Sequence, residues 1–79
     1  MVRPEDVQSY IEQGMPCEFV QVAGDGHHFE AIIVSSEFAG RSRVQRHQRV
    51  YAALGDRMRA EIHALSMQTL TPDEWRSRA

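Results

Sequence analysis

Apolar residues recur at helical spacing near the start of the chain, where Val7, Tyr10 and Ile11 fall on one face. Pro4 suits the first position of a helix, because its missing N–H would have no partner there, and Gly14 ends the pattern. The first element is therefore predicted to be a short amphipathic helix.

Two runs with the alternation and composition of β-strands follow, over residues 17–23 and 28–35. Between them stand Gly24, Asp25 and Gly26, and glycine permits the positive φ angles that tight hairpin turns require. The pattern predicts a β-hairpin.

A second helix is predicted to begin at Ser42, which has the spacing of a capping box with Gln45, and to end at Gly55. A short helical turn is expected after Gly55. The apolar face of the second helix is predicted to carry Val44, His47, Val50, Tyr51 and Leu54. Arginines lie largely on its other side.

Residues 62–70 have the length and partial alternation of a third strand, and Thr71 and Glu74 then form another capping box around Pro72. The predicted order is αββααβα. A hairpin followed by a helical crossover implies a mixed three-stranded sheet with helices on one face. We therefore expect a single α+β domain over residues 1–79.

The composition limits the function. The chain has 79 residues and a formal net charge of -2, which argues against the general positive field that drives non-specific nucleic-acid binding. Its single cysteine, Cys17, can form no internal disulfide, and no targeting or membrane-spanning segment is visible. We expect a cytoplasmic protein without membrane association, and the chain lacks the usual residues of an enzyme.

The histidines are the candidate ligands. His63 is either a hydrogen-bonded or solvated residue at a strand end or a metal ligand. His27 and His28 adjoin the hairpin turn and should face opposite ways, so at most one points toward His63. His47 lies on the apolar line of its helix, where a hydrogen-bonded structural role is expected, and no spacing typical of a zinc site occurs.

Two segments, residues 34–47 and 62–75, together resemble the BolA family, and the hairpin turn with the sequence Gly-Asp-Gly-His-His-Phe resembles the bacterial variant of that family. The likeness spans nearly the whole chain. It implies a domain similar to the type II KH fold. It also implies a non-catalytic partner of a monothiol glutaredoxin, active in iron-sulfur cluster assembly or trafficking, or in iron sensing.

The resemblance also implies a ligand set. In the family, a histidine at the start of the last strand binds a [2Fe-2S] cluster shared with the glutaredoxin, and that position is His63. The second ligand comes from the loop between the first two strands, here His28, which we favour slightly, or His27. One iron would be held by glutaredoxin and glutathione thiols and the other by histidine, which is chemically sensible for a cluster. The isolated chain, a monomer or weak homodimer, should carry no cofactor.

The alternative is a DNA-binding transcriptional regulator, since members of this family have been described as such. Its phosphate contacts would come from the only cluster of cations, which comprises Arg41, Arg43, Arg46 and Arg49. No Gly-x-x-Gly loop, which KH domains use to grip nucleic acid, is present. A stand-alone structural or dimerising module is the third possibility.

Overall fold

A computed structural model describes residues 2–78. Within this range the elements follow the predicted order αββααβα. Their bounds are α1 (Pro4–Gly14), β1 (Phe19–Gly24), β2 (His28–Val34), α2 (Arg43–Leu54), α3 (Arg57–Ala60), β3 (Ala64–Leu70) and α4 (Pro72–Ser77), with a 3-10 turn at Ser36–Phe38. None of the helices in residues 2–78 has the length and apolar character needed to cross a membrane.

The three strands form one mixed sheet in the order β1-β2-β3, as predicted. β1 pairs antiparallel with β2, and β3 pairs parallel with β2. The parallel register sets His28 opposite Ala64. The residues that precede β2 and β3 therefore lie at the same edge of the sheet, and these residues are His27 and His63.

The core lies between one face of the sheet and the helices α1 and α2. Val7 and Ile11 of α1 and Val50 of α2 are fully buried, together with Phe29 and Ile33 of β2. Phe29 and Ile33 share a face because side chains alternate along a strand. Burying each such side chain contributes about 1.5–3 kcal/mol, so the contacts between the sheet and the two helices stabilise the fold.

Both predicted capping boxes are present. Ser42 Oγ accepts a hydrogen bond from the Gln45 amide at 3.2 Å, and the Gln45 side chain accepts one from the Ser42 amide at 2.9 Å. Thr71 and Glu74 form the same reciprocal pair at the start of α4. These bonds satisfy amides that a helix leaves without partners in its first turn.

The helix α4 contacts β1 through an aromatic pair. Its Trp75 stacks on Phe19 with ring centroids 5.0 Å apart. Phe19 precedes the buried Val20 and therefore points to the opposite side of the sheet. α1 and α2 thus form the layer over the core, while α4 places an aromatic contact on the other face.

Two strand boundaries differ from the prediction at their beginnings. β1 begins at Phe19 rather than at residue 17, and β3 begins at Ala64 rather than at residue 62. Ile62 is buried because it packs into the core, whereas His63 is exposed and lies in a bend just before the strand. His63 is therefore outside β3. The C-terminal end of β2 also differs, because β2 ends at Val34, one residue earlier than predicted.

The predicted apolar face of α2 was partly wrong. Val50 and Leu54 are buried, but Val44 is 64% exposed and Tyr51 39% exposed. The buried stripe is centred between Val50 and Leu54, and Val44 and Tyr51 lie roughly 80–100° away around the helix.

His47 lies beside the buried stripe of α2 and is half-buried. We predicted a hydrogen-bonded histidine here, but its Nε2 atom is buried without a hydrogen-bond partner in residues 2–78.

Candidate functional site

The candidate site is a shallow depression at the edge of the sheet where β2 and β3 begin. Its volume is about 430 Å³. Three parts of the chain line it: the β1–β2 turn, the segment between α3 and β3, and the start of the chain. The lining residues are Val2, Asp6, Gly26, His27, Ala60, Glu61 and His63. Residues that are distant in sequence thus share one open surface.

The central feature of this depression is a pair of histidines. The ring centroids of His27 and His63 are 5.5 Å apart, with the ring planes tilted by 36°. Both residues are exposed. Two imidazoles at this separation can turn nitrogen atoms toward a common point outside the protein, where a partner molecule has access.

The turn that carries His27 is held by Asp25. Its Oδ1 atom accepts hydrogen bonds from the backbone amides of His27 and His28, each at 2.9 Å. These bonds, led by the one from His28, lower the pKa of the Asp25 carboxyl. Gly26 adopts a φ of 98°, which side chains disfavour, so glycine is needed at this position.

His28 has a different environment. It begins β2, and its ring Nε2 lies 3.3 Å from the Ser66 hydroxyl on the neighbouring strand. Its neighbour Phe29 points into the core, so His28 projects from the opposite face of the sheet. The structure therefore brings His27 beside His63 and places His28 next to Ser66, although the sequence slightly favoured His28.

The segment that carries His63 is attached to the rest of the protein on its N-terminal side. Ile62 is buried, and its amide donates to the Arg57 carbonyl at 3.2 Å. Glu61 accepts a hydrogen bond from the Tyr10 hydroxyl at 3.2 Å, and the Arg57 guanidinium lies over the Tyr10 ring at 4.1 Å. Burial and the Glu61 carboxylate together raise the pKa of Tyr10.

Sequence reasoning missed the roles of Asp25, Tyr10 and Glu61. An aspartate before glycine in a turn is a known signal for capping of the following amides, and it could have identified Asp25. The Tyr10–Glu61 contact joins residues that no local pattern connects.

The lone thiol does not contribute to this site. Cys17 precedes β1, whereas the histidine turn follows the far end of that strand. Cys17 is half-buried, and its Sγ lies 3.6 Å from the Met15 carbonyl oxygen. Burial raises the pKa of this thiol to about 11, so it is a packed, protonated side chain at neutral pH.

The donor set fits only part of a metal centre. Residues 2–78 contain no group of three or more histidine, cysteine, aspartate or glutamate side chains arranged to hold a metal ion. The histidine pair offers two imidazole nitrogen donors, and histidine can replace cysteine as a ligand on one iron of a [2Fe-2S] cluster. The remaining ligands would have to come from another molecule, so the site fits one half of a shared cluster.

The four arginines of the alternative site have unequal environments. Arg46 donates to Glu74 Oε1 at 2.8 Å and to the Thr69 carbonyl at 3.0 Å, and Arg49 pairs with Glu37 at 2.7 Å. Both are half-buried structural residues. The other two, Arg41 and Arg43, are exposed and form no ion pair within residues 2–78.

A groove of about 620 Å³ adjoins these arginines along β3. Its lining includes Arg41, Arg43, Arg46 and Glu74. The hydrogen bond from Arg46 is the main reason that the pKa of Glu74 falls to about 2. The positive charge that remains for an outside ligand is therefore that of Arg41 and Arg43.

The fold is a small α+β domain with a mixed three-stranded sheet. The exposed pair of His27 and His63, which could supply only part of a metal centre, lies where β2 and β3 begin. A family model described as BolA-like protein matches residues 8–74. The chain belongs to the BolA-like protein family, as the resemblance of its two segments predicted.

Three relatives illustrate the membership. The acid stress protein IbaG of Escherichia coli is 39% identical over 71 residues, which cover 89% of this chain and 84% of that protein. The DNA-binding transcriptional regulator BolA of Haemophilus influenzae is 34% identical over 85 residues, covering 90% and 82%. The structure of a BolA homologue from Coxiella burnetii superposes with a TM-score of 0.90 at 45% identity, covering 96% and 99%. None of these names is that of an enzyme.

Proposed function

We propose that this protein is a non-catalytic partner of a monothiol glutaredoxin in iron-sulfur cluster assembly or trafficking, or in iron sensing. The two proteins would share a bridging [2Fe-2S] cluster. The observation that carries the proposal is the exposed pair of His27 and His63, with ring centroids 5.5 Å apart. Within residues 2–78 no third histidine, cysteine, aspartate or glutamate is placed to complete a metal site with them.

Each residue of the pair has a distinct role in this proposal. His63 and His27 would each donate an imidazole nitrogen to one iron, and both rings are exposed so that a partner can approach them. A cysteine of the glutaredoxin and the thiol of its glutathione would hold the other iron. When bound, the cluster supplies the bridge between the two proteins and a one-electron redox centre whose potential histidine ligation raises.

The pair also explains why the chain would act only with a partner. A [2Fe-2S] cluster needs four ligands, and the histidine pair supplies only two. Cys17 cannot supply a third, because its thiol is protonated and lies at the other end of β1. The free chain is therefore expected to bind no cluster of its own. The cluster itself would hold the heterocomplex together.

Cluster reconstitution tests the proposal. A monothiol glutaredoxin is loaded with iron and sulfide in the presence of glutathione, with and without this chain, under anaerobic conditions. We expect the chain to change the visible absorption and circular dichroism of the cluster, because nitrogen ligands replace sulfur ligands on one iron. Unchanged spectra at saturating concentrations of the chain would refute it.

DNA binding is the second candidate function. Two observations favour it: Arg41 and Arg43 are exposed beside the groove along β3, and the Haemophilus influenzae relative is named a DNA-binding transcriptional regulator. The ion pairs of Arg46 and Arg49 restrict the phosphate contacts to the other two arginines.

A gel-shift series across salt concentrations tests this second function. Replacing Arg41 and Arg43 together with alanine should weaken binding to every duplex and lower the salt-dependence slope by about 2, one unit for each phosphate contact. Replacing Arg59, an exposed arginine of α3, provides the matched control. Equal weak binding to every duplex would count against a regulatory role.

A further inference from the structure

We propose that Asp25 is the positioning residue that directs His27, rather than His28, toward His63. This inference rests on the proposed function, because it concerns which of the two loop histidines becomes a ligand.

Two adjacent histidines at the start of a strand present a choice. Successive side chains of an extended chain point to opposite sides, so a shift of one residue in the turn would exchange the positions of His27 and His28. Both side chains have the same chemistry. The selection must therefore come from the backbone of the turn.

Asp25 fixes that backbone. One carboxylate oxygen, Oδ1, accepts from both the His27 and the His28 amides at 2.9 Å, and the Asp25 amide donates to the His28 carbonyl at 3.3 Å. Three hydrogen bonds thus tie residue 25 to residues 27 and 28. A shift of the turn by one residue would break all three.

The neighbouring glycines make this arrangement possible. Gly26 takes a φ of 98°, which lets the chain double back over the Asp25 side chain. A Cβ on Gly24 would collide with the His28 carbonyl, so glycine permits the close approach of the two strands there. The two glycines and Asp25 therefore favour a single register of the turn.

The surroundings of the His27 ring indicate what orients it. Among residues 2–78, the His27 side chain makes no hydrogen bond, and its one aromatic neighbour is His63. Asp6, which lines the same depression, is bound to Arg3. The direction of the His27 ring therefore depends on the backbone that Asp25 holds.

Variants of Asp25 separate its hydrogen bonds from its charge. Asp25→Ala removes the acceptor, whereas Asp25→Asn keeps an acceptor oxygen and removes the charge. Asp56→Ala is the matched control, because Asp56 also lies in a turn beside a glycine and its side chain caps no amide.

The first measurement uses the free chain. Nuclear magnetic resonance is expected to show a contact between the His27 and His63 rings in the wild type, Asp25→Asn and Asp56→Ala. In Asp25→Ala this contact should be lost, and hydrogen exchange of the His27 and His28 amides should become about fivefold faster, as expected for the loss of an ordinary hydrogen bond. An intact ring contact in a folded Asp25→Ala variant would overturn the inference.

The second measurement uses the complex with cluster-loaded glutaredoxin. Asp25→Ala should shift the visible circular dichroism in the same direction as His27→Ala, and Asp25→Asn should restore the wild-type spectrum. If Asp25→Asn resembles Asp25→Ala, charge rather than hydrogen bonding matters and the inference is overturned. If the wild type leaves the cluster spectrum unchanged, the proposed function fails, and the ligand role of His27 fails with it. The free-chain experiment then still decides whether Asp25 orients the His27 ring.

Discussion

The imidazole rings of His27 and His63 lie side by side because β2 and β3 run parallel with His28 opposite Ala64. Each histidine is the residue just before its strand, so the register of the sheet sets the pair. A register shifted by one residue would separate the two rings by a further strand rise of about 3.3 Å. The candidate ligand set is thus a direct product of strand pairing.

This relationship predicts unequal effects of the two loop histidines. His27→Ala should weaken cluster formation with glutaredoxin and alter its circular dichroism, whereas His28→Ala should have little effect, since His28 faces Ser66. Spectra of the two variants, recorded at equal concentrations, provide the measurement. A larger effect of His28→Ala would mean that the loop rearranges on binding and that His28 is the ligand.

The sequence predicted the order of the elements and the mixed sheet because hydrophobic periodicity, glycines and capping boxes are local signals. It could not choose between His27 and His28, since that choice depends on the first residue of β2 and on the Asp25 hydrogen bonds. It also placed His63 inside the third strand, although the burial of Ile62 leaves His63 in a bend before it. The ion pairs of Arg46 and Arg49 depend on residues far along the chain.

The two valines of α2 provide a test of its packing. Val50 is fully buried, whereas Val44 is 64% exposed. Val50→Ala should lower the free energy of unfolding by about 2 kcal/mol, through lost burial and a residual cavity. Val44→Ala should change it by less than about 0.5 kcal/mol. Chemical denaturation measures both, and similar losses for the two variants would show that α2 is rotated relative to this structure.

The ion pair between α2 and α4 predicts a pH-dependent contribution to stability. The pKa of Glu74 falls from 4.5 to about 2, first through the Arg46 hydrogen bond and then through the Thr71 amide. A carboxyl with a lowered pKa in the folded state stabilises the fold above its unfolded pKa. This contribution is lost as the pH falls from 4.5 to about 2.

The measurement is a comparison of the wild type with Glu74→Gln across that pH range. The difference in their free energies of unfolding should be constant above about pH 5 and should shrink as the pH approaches 2. In an Arg46→Ala background, most of the pH dependence should disappear. A difference that stays constant down to pH 2 would show that the ion pair does not form.

The thiol of Cys17 is expected to be unreactive in the folded protein. Burial raises its pKa from 9.0 to about 11, which lowers the thiolate fraction at neutral pH by about 100-fold. Alkylation by iodoacetamide at pH 7.5 should therefore be slow in the native protein and fast in urea. Equal rates in the two conditions would show an exposed thiolate and reopen the question of a cysteine ligand.

This chain is proposed to supply half of the ligands of a shared cluster, and a titration with histidine variants decides whether it does. Visible circular dichroism is followed while wild type, His63→Ala or His47→Ala is titrated into cluster-loaded monothiol glutaredoxin. We expect a saturable change with the wild type, the same change with His47→Ala, and a lost or strongly altered change with His63→Ala. Identical titrations with the wild type and His63→Ala, or no change with either, would contradict it.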